Sequence, residues 1–309
     1  MGLKTVVLNS ERMNYDGKLD LSVLSSEVKE YASTEQDQIL ERVQGMDVVV
    51  TKEMPVDGDT IARFPDSVQL ICEAGTGYNN IDIEAARARG ITVCNIPAYS
   101  TERVAHTAIM MILNLSSSMQ IQQAMLARGD RSNFTKCMQV SHVEVNGKVL
   151  GVVGAGTIGR EVIKVAQALG MKVLAYTRTP RADEDNLKYV SLEELLKQSD
   201  YISLHCPLTP QTRHMINKET IAMMKPTAYI INTGRGALID EPALIEALKG
   251  LDVQETEPPV QDNPLYDMPN VILTPHMGWK GLETRQRLVS ILAANIQAFD
   301  EGRPQNVVS

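Results

Sequence analysis

A glycine-rich loop between a strand pattern and a helix pattern constrains this chain more than any other feature. Val149–Val153 is an apolar run typical of a buried strand, and residues 160–169 have helical spacing. Between them, Gly154 permits a tight turn, Gly156 lets a pyrophosphate approach the backbone, and Gly159 allows close packing of helix on strand. The helix N-terminus offers amide donors to the phosphates. The predicted dinucleotide contacts of this loop are Gly154, Gly156, Thr157, Ile158 and Gly159.

The residues after the next strand pattern, Lys172–Tyr176, report on the ribose of the dinucleotide. A carboxylate about 20 residues beyond the loop is expected where the ribose 2′-hydroxyl is bound. The chain has Thr177 and Arg178 there, while Asp183 and Glu184 come too late. Because a guanidinium binds phosphate through a fork of donors, this pair favours NADP over NAD. An Arg178 that is only a solvated loop residue would accept either cofactor.

Short apolar runs alternate with helical patterns along nearly the whole chain. Most show no polar alternation, which is typical of parallel strands buried on both faces by helices. Nine such runs are many for one sheet, so the sequence predicts an α/β fold with two doubly wound, Rossmann-like parallel sheets. The runs are 5–8, 47–50, 68–72, 91–94, 149–153, 172–176, 201–204, 228–231 and 271–273.

Two longer helical patterns lie outside this alternation. One spans residues 101–127, and a polar stretch over 128–146 then leads into the glycine loop. The other spans 282–301 and is followed by a tail at 303–309. A chain of 309 residues is long enough for two domains, and we place the first break near residue 98.

Charge and cysteine content exclude several classes of protein. The formal net charge of −8 disfavours binding to nucleic acid or to an anionic membrane surface. Residues 1–8 are too short for a signal-peptide core or a membrane span. No CxxC pair or other metal-ligand spacing is present, and a chain of this size needs neither a metal nor a disulfide to fold. We predict free thiols and a cytoplasmic location; the cysteines are Cys72, Cys94, Cys137 and Cys206.

Three ionisable residues in the second half suit the reduction of a keto acid. Arg235 follows the strand pattern 228–231 and His276 follows 271–273, and ligands of open α/β sheets bind at such strand ends. The arginine can hold a carboxylate, and the histidine can donate a proton to the carbonyl oxygen as hydride reaches carbon. Glu257 can orient the imidazole, with Glu255 as a nearby rival. On spacing alone, structural roles for all three remain open.

The chain resembles the D-isomer-specific 2-hydroxyacid dehydrogenase family over nearly its whole length. The segments that carry the resemblance are 73–82, the glycine loop, 232–236, 251–258 and Pro275-His276. It implies that Arg235, Glu257 and His276 are the catalytic trio, and that the backbone around Thr76 and Gly77 contacts substrate. The further cofactor contacts that the resemblance implies are Val104, His205, Cys206, Pro207, Thr212, Thr233, Asp252 and Gly278.

The same resemblance implies two domains, one that binds substrate and one that binds the cofactor. Residues 1–98 with 285–309 would form a flavodoxin-like substrate domain, and 99–284 an NAD(P)-binding domain, with the active site in the cleft between them. The helix after Tyr99 resembles the dimerisation element of the family, so we expect a homodimer with its arm near 99–146.

Within the family, the chain is most similar to hydroxypyruvate reductases, also called glycerate dehydrogenases. Segments 51–55, 74–78, 94–96 and 285–288 carry this similarity. It implies that Lys52 and Trp279 contact a small 2-keto acid, with hydroxypyruvate or glyoxylate expected. A phosphoglycerate dehydrogenase, a reductase of bulkier keto acids and a dinucleotide-sensing corepressor are the alternatives.

Two features depart from the family pattern. The connection from Lys249 to Asp252 is shorter than in the family, which would remove most of a strand beside the nicotinamide if no segment is missing from the sequence. The subgroup commonly prefers NADH, whereas Thr177 and Arg178 favour NADPH.

Overall fold

The computed structural model describes residues 2–179, 181–247, 263–268 and 271–309. Contacts divide the chain into two compact units. Unit 1 comprises Met1–Ser100 and Lys280–Ser309, and unit 2 comprises Thr101–Trp279. The functional assignment of the two units stays a prediction.

Each unit contains one parallel β-sheet, which confirms the predicted α/β fold with two doubly wound sheets. The strands are β1 (Lys4–Val7), β2 (Glu27–Glu30), β3 (Val48–Thr51), β4 (Leu70–Glu73), β5 (Thr92–Cys94), β6 (Val149–Val153), β7 (Lys172–Tyr176), β8 (Leu187–Tyr189), β9 (Tyr201–Leu204) and β10 (Tyr229–Asn232). In unit 1 the strand order is β2-β1-β3-β4-β5, the flavodoxin-like order. In unit 2 it is β10-β9-β6-β7-β8, which corresponds to five strands of the Rossmann order.

Helices cover these sheets and bury their apolar runs on both faces. The α-helices of the described residues are α1 (Glu11–Asn14), α2 (Ile39–Arg42), α3 (Gly58–Ala62), α4 (Ile83–Ala88), α5 (Thr101–Ser117), α6 (Met119–Ala127), α7 (Ser132–Thr135), α8 (Thr157–Ala168), α9 (Leu192–Gln198), α10 (Lys218–Ala222), α11 (Glu241–Ala247) and α12 (Leu282–Asp300). None of them is long and apolar enough to cross a membrane.

The sheet of unit 1 shows why continuous apolar runs became strands. Every residue of β3 and of β4 is buried, as expected where helices cover both faces. Strand β2 (Glu27–Glu30) was not predicted, because its sequence Glu-Val-Lys-Glu is polar and it lies at the exposed edge of the sheet. Polar residues at an edge strand discourage pairing with other chains.

The predicted tail at 303–309 lies along β5 at the opposite edge of that sheet. The amide of Val308 donates to the carbonyl of Val93 at 2.9 Å, and the amide of Asn95 donates to Asn306 at 3.1 Å. Val307 also forms an antiparallel bridge with Cys94. These bonds satisfy backbone groups that the edge strand would otherwise expose.

The long helix predicted over 101–127 is broken in the structure. Ser118 adopts a left-handed conformation with φ of 48°, which ends α5 and lets α6 begin at Met119. All residues of the predicted stripe on α5 are buried: Val104, Ala108, Met111, Ile112 and Leu115. The last four pack in the core of unit 2 with residues of β6 and α8.

In unit 2 one predicted strand is wrong and one observed strand was not predicted. The run 271–273 is not a strand: only Leu273 forms a single β-bridge. Its three side chains are partly buried against the core clusters of the unit, so their apolar character reflects packing rather than strand pairing. Strand β8 was missed because only Leu187 of its three residues is buried.

Candidate active site

The carboxyl ends of four strands bring predicted cofactor residues to one edge of the unit 2 sheet. Gly154 follows β6, Thr177 follows β7, His205 follows β9 and Thr233 follows β10. Because all these strands are parallel, their carboxyl ends share an edge, which is where open α/β sheets bind ligands. A Cβ atom on Gly154 would lie 2.7 Å from the amide nitrogen of Cys206, so the loops that follow β6 and β9 are in contact.

The three glycines of the loop are required for different reasons. Gly154 has a φ of 98°, and a Cβ on Gly159 would lie 2.0 Å from the carbonyl oxygen of Gly154. The chain's own packing therefore demands glycine at both positions. A Cβ on Gly156 would meet no protein atom within 4 Å. Since Gly156 is the N-cap of α8, where first-turn amides lack intrahelical partners, its missing side chain fits the close approach of a phosphate.

His205 is a neutral imidazole held between two hydroxyl groups. Its Nε2 atom lies 2.8 Å from Ser203 Oγ, and its Nδ1 atom lies 3.5 Å from Thr233 Oγ1. Burial lowers the pKa of His205 from 6.5 to about 4, because the charged ring would lose solvation. Ser203, which the sequence did not single out, is fully buried in β9 and orients this ring.

Hydrogen bonds between its own residues hold the conformation of the segment that follows β9. Thr212 donates through Oγ1 to the carbonyl of Pro207 at 2.7 Å and accepts from the amide of Thr209 at 2.8 Å. Burial raises the pKa of the Cys206 thiol to about 11, which keeps it protonated. These bonds fix the backbone beside Gly154.

The end of β7 carries a hydroxyl and a cation rather than a carboxylate. Thr177 donates to the carbonyl of Thr179 at 2.7 Å, and the Arg178 side chain is exposed. Glu184, the next carboxylate along with Asp183, accepts two hydrogen bonds from Arg160, at 2.7 and 2.8 Å. That guanidinium lowers the pKa of Glu184 to about 2. The carboxylate of Glu184 is therefore already paired with Arg160 at the surface.

Arg235 extends from a braced turn directly after β10. The buried Asn232 donates through Nδ2 to the carbonyl of Arg235 at 2.9 Å and accepts from the amide of Gly234 at 3.0 Å. The guanidinium is partly buried and donates to the carbonyl of Gly234 at 3.0 Å. The turn thus fixes the backbone that carries this cation at the carboxyl ends of the strands.

His276 has a backbone conformation that is uncommon outside glycine. Its φ is 46°, and its amide donates to the carbonyl of Thr274 at 2.9 Å. Such left-handed residues cost free energy and cluster at functional sites. Gly278 and Trp279, which follow it, are buried. Glu257, its rival Glu255, Asp252 and the short connection from Lys249 lie outside the described residues.

In unit 1 the predicted substrate residues follow the adjacent strands β3 and β4. Lys52 is only 2% exposed, and its backbone is clamped by Asn9, which accepts from the Lys52 amide and donates to the Lys52 carbonyl. Thr76 donates to the carbonyl of Ile96 at 2.9 Å, and its own carbonyl accepts from Asn95 at 2.7 Å. The loop that contains Gly77 is therefore tied to the segment that follows β5.

No group of three or more histidine, cysteine or acidic residues suited to a metal ion occurs in the part of the chain that the structure describes. A nicotinamide dinucleotide, in contrast, fits the glycine loop.

Comparison with known proteins decides the family. Residues 109–278 match the family described as "D-isomer specific 2-hydroxyacid dehydrogenase, NAD binding domain". A hydroxypyruvate reductase of Blautia hydrogenotrophica is 40% identical over 89% of this chain and 89% of its own length. The chain belongs to the D-isomer specific 2-hydroxyacid dehydrogenase family. Its cofactor is accordingly a nicotinamide dinucleotide.

Two further proteins to which the chain is similar agree with that assignment. A glycerate dehydrogenase of Methylorubrum extorquens is 40% identical over 91% of this chain and 92% of its own. The crystal structure of a glyoxylate reductase from Paecilomyes thermophila superimposes with a TM-score of 0.84 at 32% identity, covering 99% of this chain and 98% of that one.

Sequence reasoning missed one buried carboxylate beside the predicted substrate residues of this dehydrogenase. Glu73 is fully buried at the end of β4 and accepts from Thr51 Oγ1, from Asn80 Nδ2 and from the amide of Glu53. The available signal was an acidic residue directly after the apolar run 68–72, where a solvated side chain is not expected.

Proposed function

We propose that this dehydrogenase works mainly as a reductase of hydroxypyruvate or glyoxylate. The observation that carries the proposal is the edge of the unit 2 sheet, where the glycine loop and the braced Arg235 follow parallel strands of one sheet. The relatives named hydroxypyruvate reductase, glycerate dehydrogenase and glyoxylate reductase narrow the substrate to a small 2-keto acid.

In this proposal the side chains of the protein bind the keto acid and move one proton. The reduced nicotinamide, when bound, supplies the hydride that the keto carbon accepts. Arg235 holds the substrate carboxylate through its fork of donors, which suits a planar anion. His276 donates its proton to the carbonyl oxygen, and Glu257 orients the imidazole and favours its protonated form. The further substrate contacts are Lys52, Thr76, Gly77 and Trp279.

NADPH is the proposed preferred cofactor. Thr177 and the exposed Arg178 at the end of β7 suit a 2′-phosphate, and the pairing of Glu184 with Arg160 supports this proposal. NADH remains the alternative. The proposed dinucleotide contacts are Val104, Gly154, Gly156, Thr157, Ile158, Gly159, Thr177, Arg178, His205, Cys206, Pro207, Thr212, Thr233, Asp252 and Gly278.

A homodimer is the proposed assembly, formed through the arm near 99–146. Phe134 is 71% exposed and Met138 is 53% exposed, and Met119, Leu126 and Val143 add further exposed apolar surface on the same arm. A second copy of this chain is the occupant we propose, because apolar side chains collected on one arm favour self-association. The cytoplasm is the proposed location, which the free state of the four cysteines supports.

A panel of 2-keto acids with NADPH and NADH tests the proposed function. We expect the highest kcat/KM for hydroxypyruvate or glyoxylate with NADPH. Preferred turnover of 3-phosphohydroxypyruvate would favour a phosphoglycerate dehydrogenase, and preferred turnover of phenylpyruvate would favour a reductase of bulkier substrates. Dinucleotide binding without turnover of any keto acid would point to a corepressor and contradict the proposal.

A further inference from the structure

A buried carboxylate lies at the centre of the polar cluster in unit 1. Glu73 Oε2 accepts from Thr51 Oγ1 and from Asn80 Nδ2, each at 2.9 Å, and Glu73 Oε1 accepts from the amide of Glu53 at 3.0 Å. Thr51 and Glu73 are register partners on the parallel strands β3 and β4. Both oxygens of this carboxylate are thus held by donors from β3, from the residues after it and from the loop after β4.

The ammonium group of Lys52 lies beside the same carboxylate. A Cβ atom on Gly75 would lie 3.1 Å from Glu73 Oε1 and 3.2 Å from Lys52 Nζ, so both charged ends flank the same backbone position. Lys52 also forms an ion pair with Glu53. Gly75 in turn opens the loop that contains Thr76 and Gly77, and its carbonyl accepts from the amide of Ile96 at 2.9 Å.

Stability alone gives a poor reason for this arrangement. Burying a carboxylate and an ammonium can cost more free energy than their attraction returns, and well-packed apolar residues of similar volume are often as stable. A cluster that holds a fixed ammonium beside a loop has a use when the loop must bind an anion, because fixed charges need no rearrangement when the ligand arrives.

We infer that Glu73 is a positioning residue, which fixes the Lys52 ammonium beside Gly75 so that the loop 75–77 is arranged for the carboxylate end of the keto acid. This inference rests on the proposed function. Glu73 acts through Lys52 and does not itself touch the substrate. Because Lys52 already forms an ion pair with Glu53 and lies beside Glu73, the cluster provides no surplus positive charge for a second anionic group, such as the phosphate of a phosphorylated keto acid.

The test is the affinity of the protein for hydroxypyruvate in the presence of the oxidised dinucleotide, which cannot reduce it. Isothermal titration calorimetry measures this Kd without any turnover. We expect Glu73→Gln to raise the Kd about tenfold, the effect of weakening one charge-assisted contact, while the Kd of the dinucleotide stays unchanged. Asp57→Asn is the matched control, because Asp57 is a carboxylate of unit 1 that caps α3 and accepts from Thr60.

A double-mutant cycle separates positioning from a general structural role. If Glu73 acts through Lys52, adding Glu73→Gln to Lys52→Met raises the Kd no further than Lys52→Met alone. Thr51→Val, which removes one donor to Glu73 with little change in volume, should raise the Kd about threefold if Glu73→Gln does not fold.

The outcomes separate this inference from the proposed function. If Glu73→Gln and Thr51→Val both fold and bind hydroxypyruvate with the wild-type Kd, the proposed role of Glu73 is wrong. It is also wrong if the effects of Lys52→Met and Glu73→Gln on this Kd are fully additive. Wild-type protein that binds hydroxypyruvate but never reduces it would contradict the proposed function and leave the role of Glu73 supported by the cycle. Wild-type protein that binds no keto acid would overturn both.

Discussion

The carbonyl oxygen of Gly154 lies only 2.0 Å from the position that a Cβ atom on Gly159 would occupy. We therefore expect Gly159→Ala to force the loop apart and to lower the free energy of unfolding by roughly 1–3 kcal/mol or more. Gly156→Ala meets no protein atom, so it should keep the wild-type melting temperature while weakening dinucleotide binding at least about tenfold. Thermal denaturation and fluorescence titration with NADPH measure the two effects. If Gly159→Ala and Gly156→Ala had equal melting temperatures, packing within the protein would not require a glycine at Gly159.

The buried Arg285 of α12 predicts a large effect on stability. Its guanidinium donates to both carboxylate oxygens of Asp16, at 2.9 and 2.7 Å, and to the carbonyl of Met13 at 3.0 Å. Arg285→Met leaves these acceptors without their donor, so the melting temperature should fall by roughly 5–10 °C. Arg303→Met is the matched control, because Arg303 is 78% exposed in its ion pair with Glu301 and should change stability little.

Much of the sheet architecture was predictable from local sequence. Strands β6, β7 and β9 have the predicted bounds, because a continuous apolar run between polar segments is the direct signature of a strand buried on both faces. Strand β2 was not predicted because it lies at an exposed edge and has no continuous apolar run. The break at Ser118 was not predicted because the apolar stripe of a helix does not indicate where a serine adopts a left-handed conformation.

The candidate site was predictable only where a residue follows a strand directly. Arg235 and the glycine loop could be located in this way, since the carboxyl ends of parallel strands are the ligand-binding edge. Glu73 could not, because its partners Thr51 and Asn80 come together only through the register of β3 with β4 and the loop that follows. The pairing of Glu184 with Arg160 likewise depends on a contact between residues far apart in sequence.

His205 predicts a pH dependence of stability. Burial lowers its pKa in the folded state from 6.5 to about 4. Between these pH values the ring is therefore protonated in the unfolded chain and neutral in the folded protein. The stability that this neutral ring contributes is therefore complete above pH 6.5 and is lost as the pH falls towards 4. His205→Gln should remove this part of the decline, as measured by urea denaturation at a series of pH values. If the free energy of unfolding falls equally steeply between pH 6.5 and pH 4 in His205→Gln and in the wild type, His205 is readily protonated in the folded state.

Arg178 predicts the choice between the two dinucleotides. Removing a guanidinium that binds the 2′-phosphate should lower kcat/KM for NADPH roughly 10- to 100-fold, while kcat/KM for NADH changes little. The variant is Arg178→Ser, and Arg181→Ser, an exposed arginine on the same segment, is the comparison. Equal losses with both cofactors in Arg178→Ser would mean that the side chain does not read the phosphate.

The proposed role of His276 is tested by the rate of hydroxypyruvate reduction by His276→Ala, followed as the loss of reduced-nicotinamide absorbance beside the wild-type enzyme. If His276 donates the proton to the carbonyl oxygen, kcat should fall about 10²- to 10⁴-fold, the usual contribution of a general acid. The affinity for NADPH should remain near the wild-type value, because the glycine loop that holds the phosphates is unchanged. A His276→Ala variant that reduces hydroxypyruvate at a near-normal rate would show that His276 is not the proton donor.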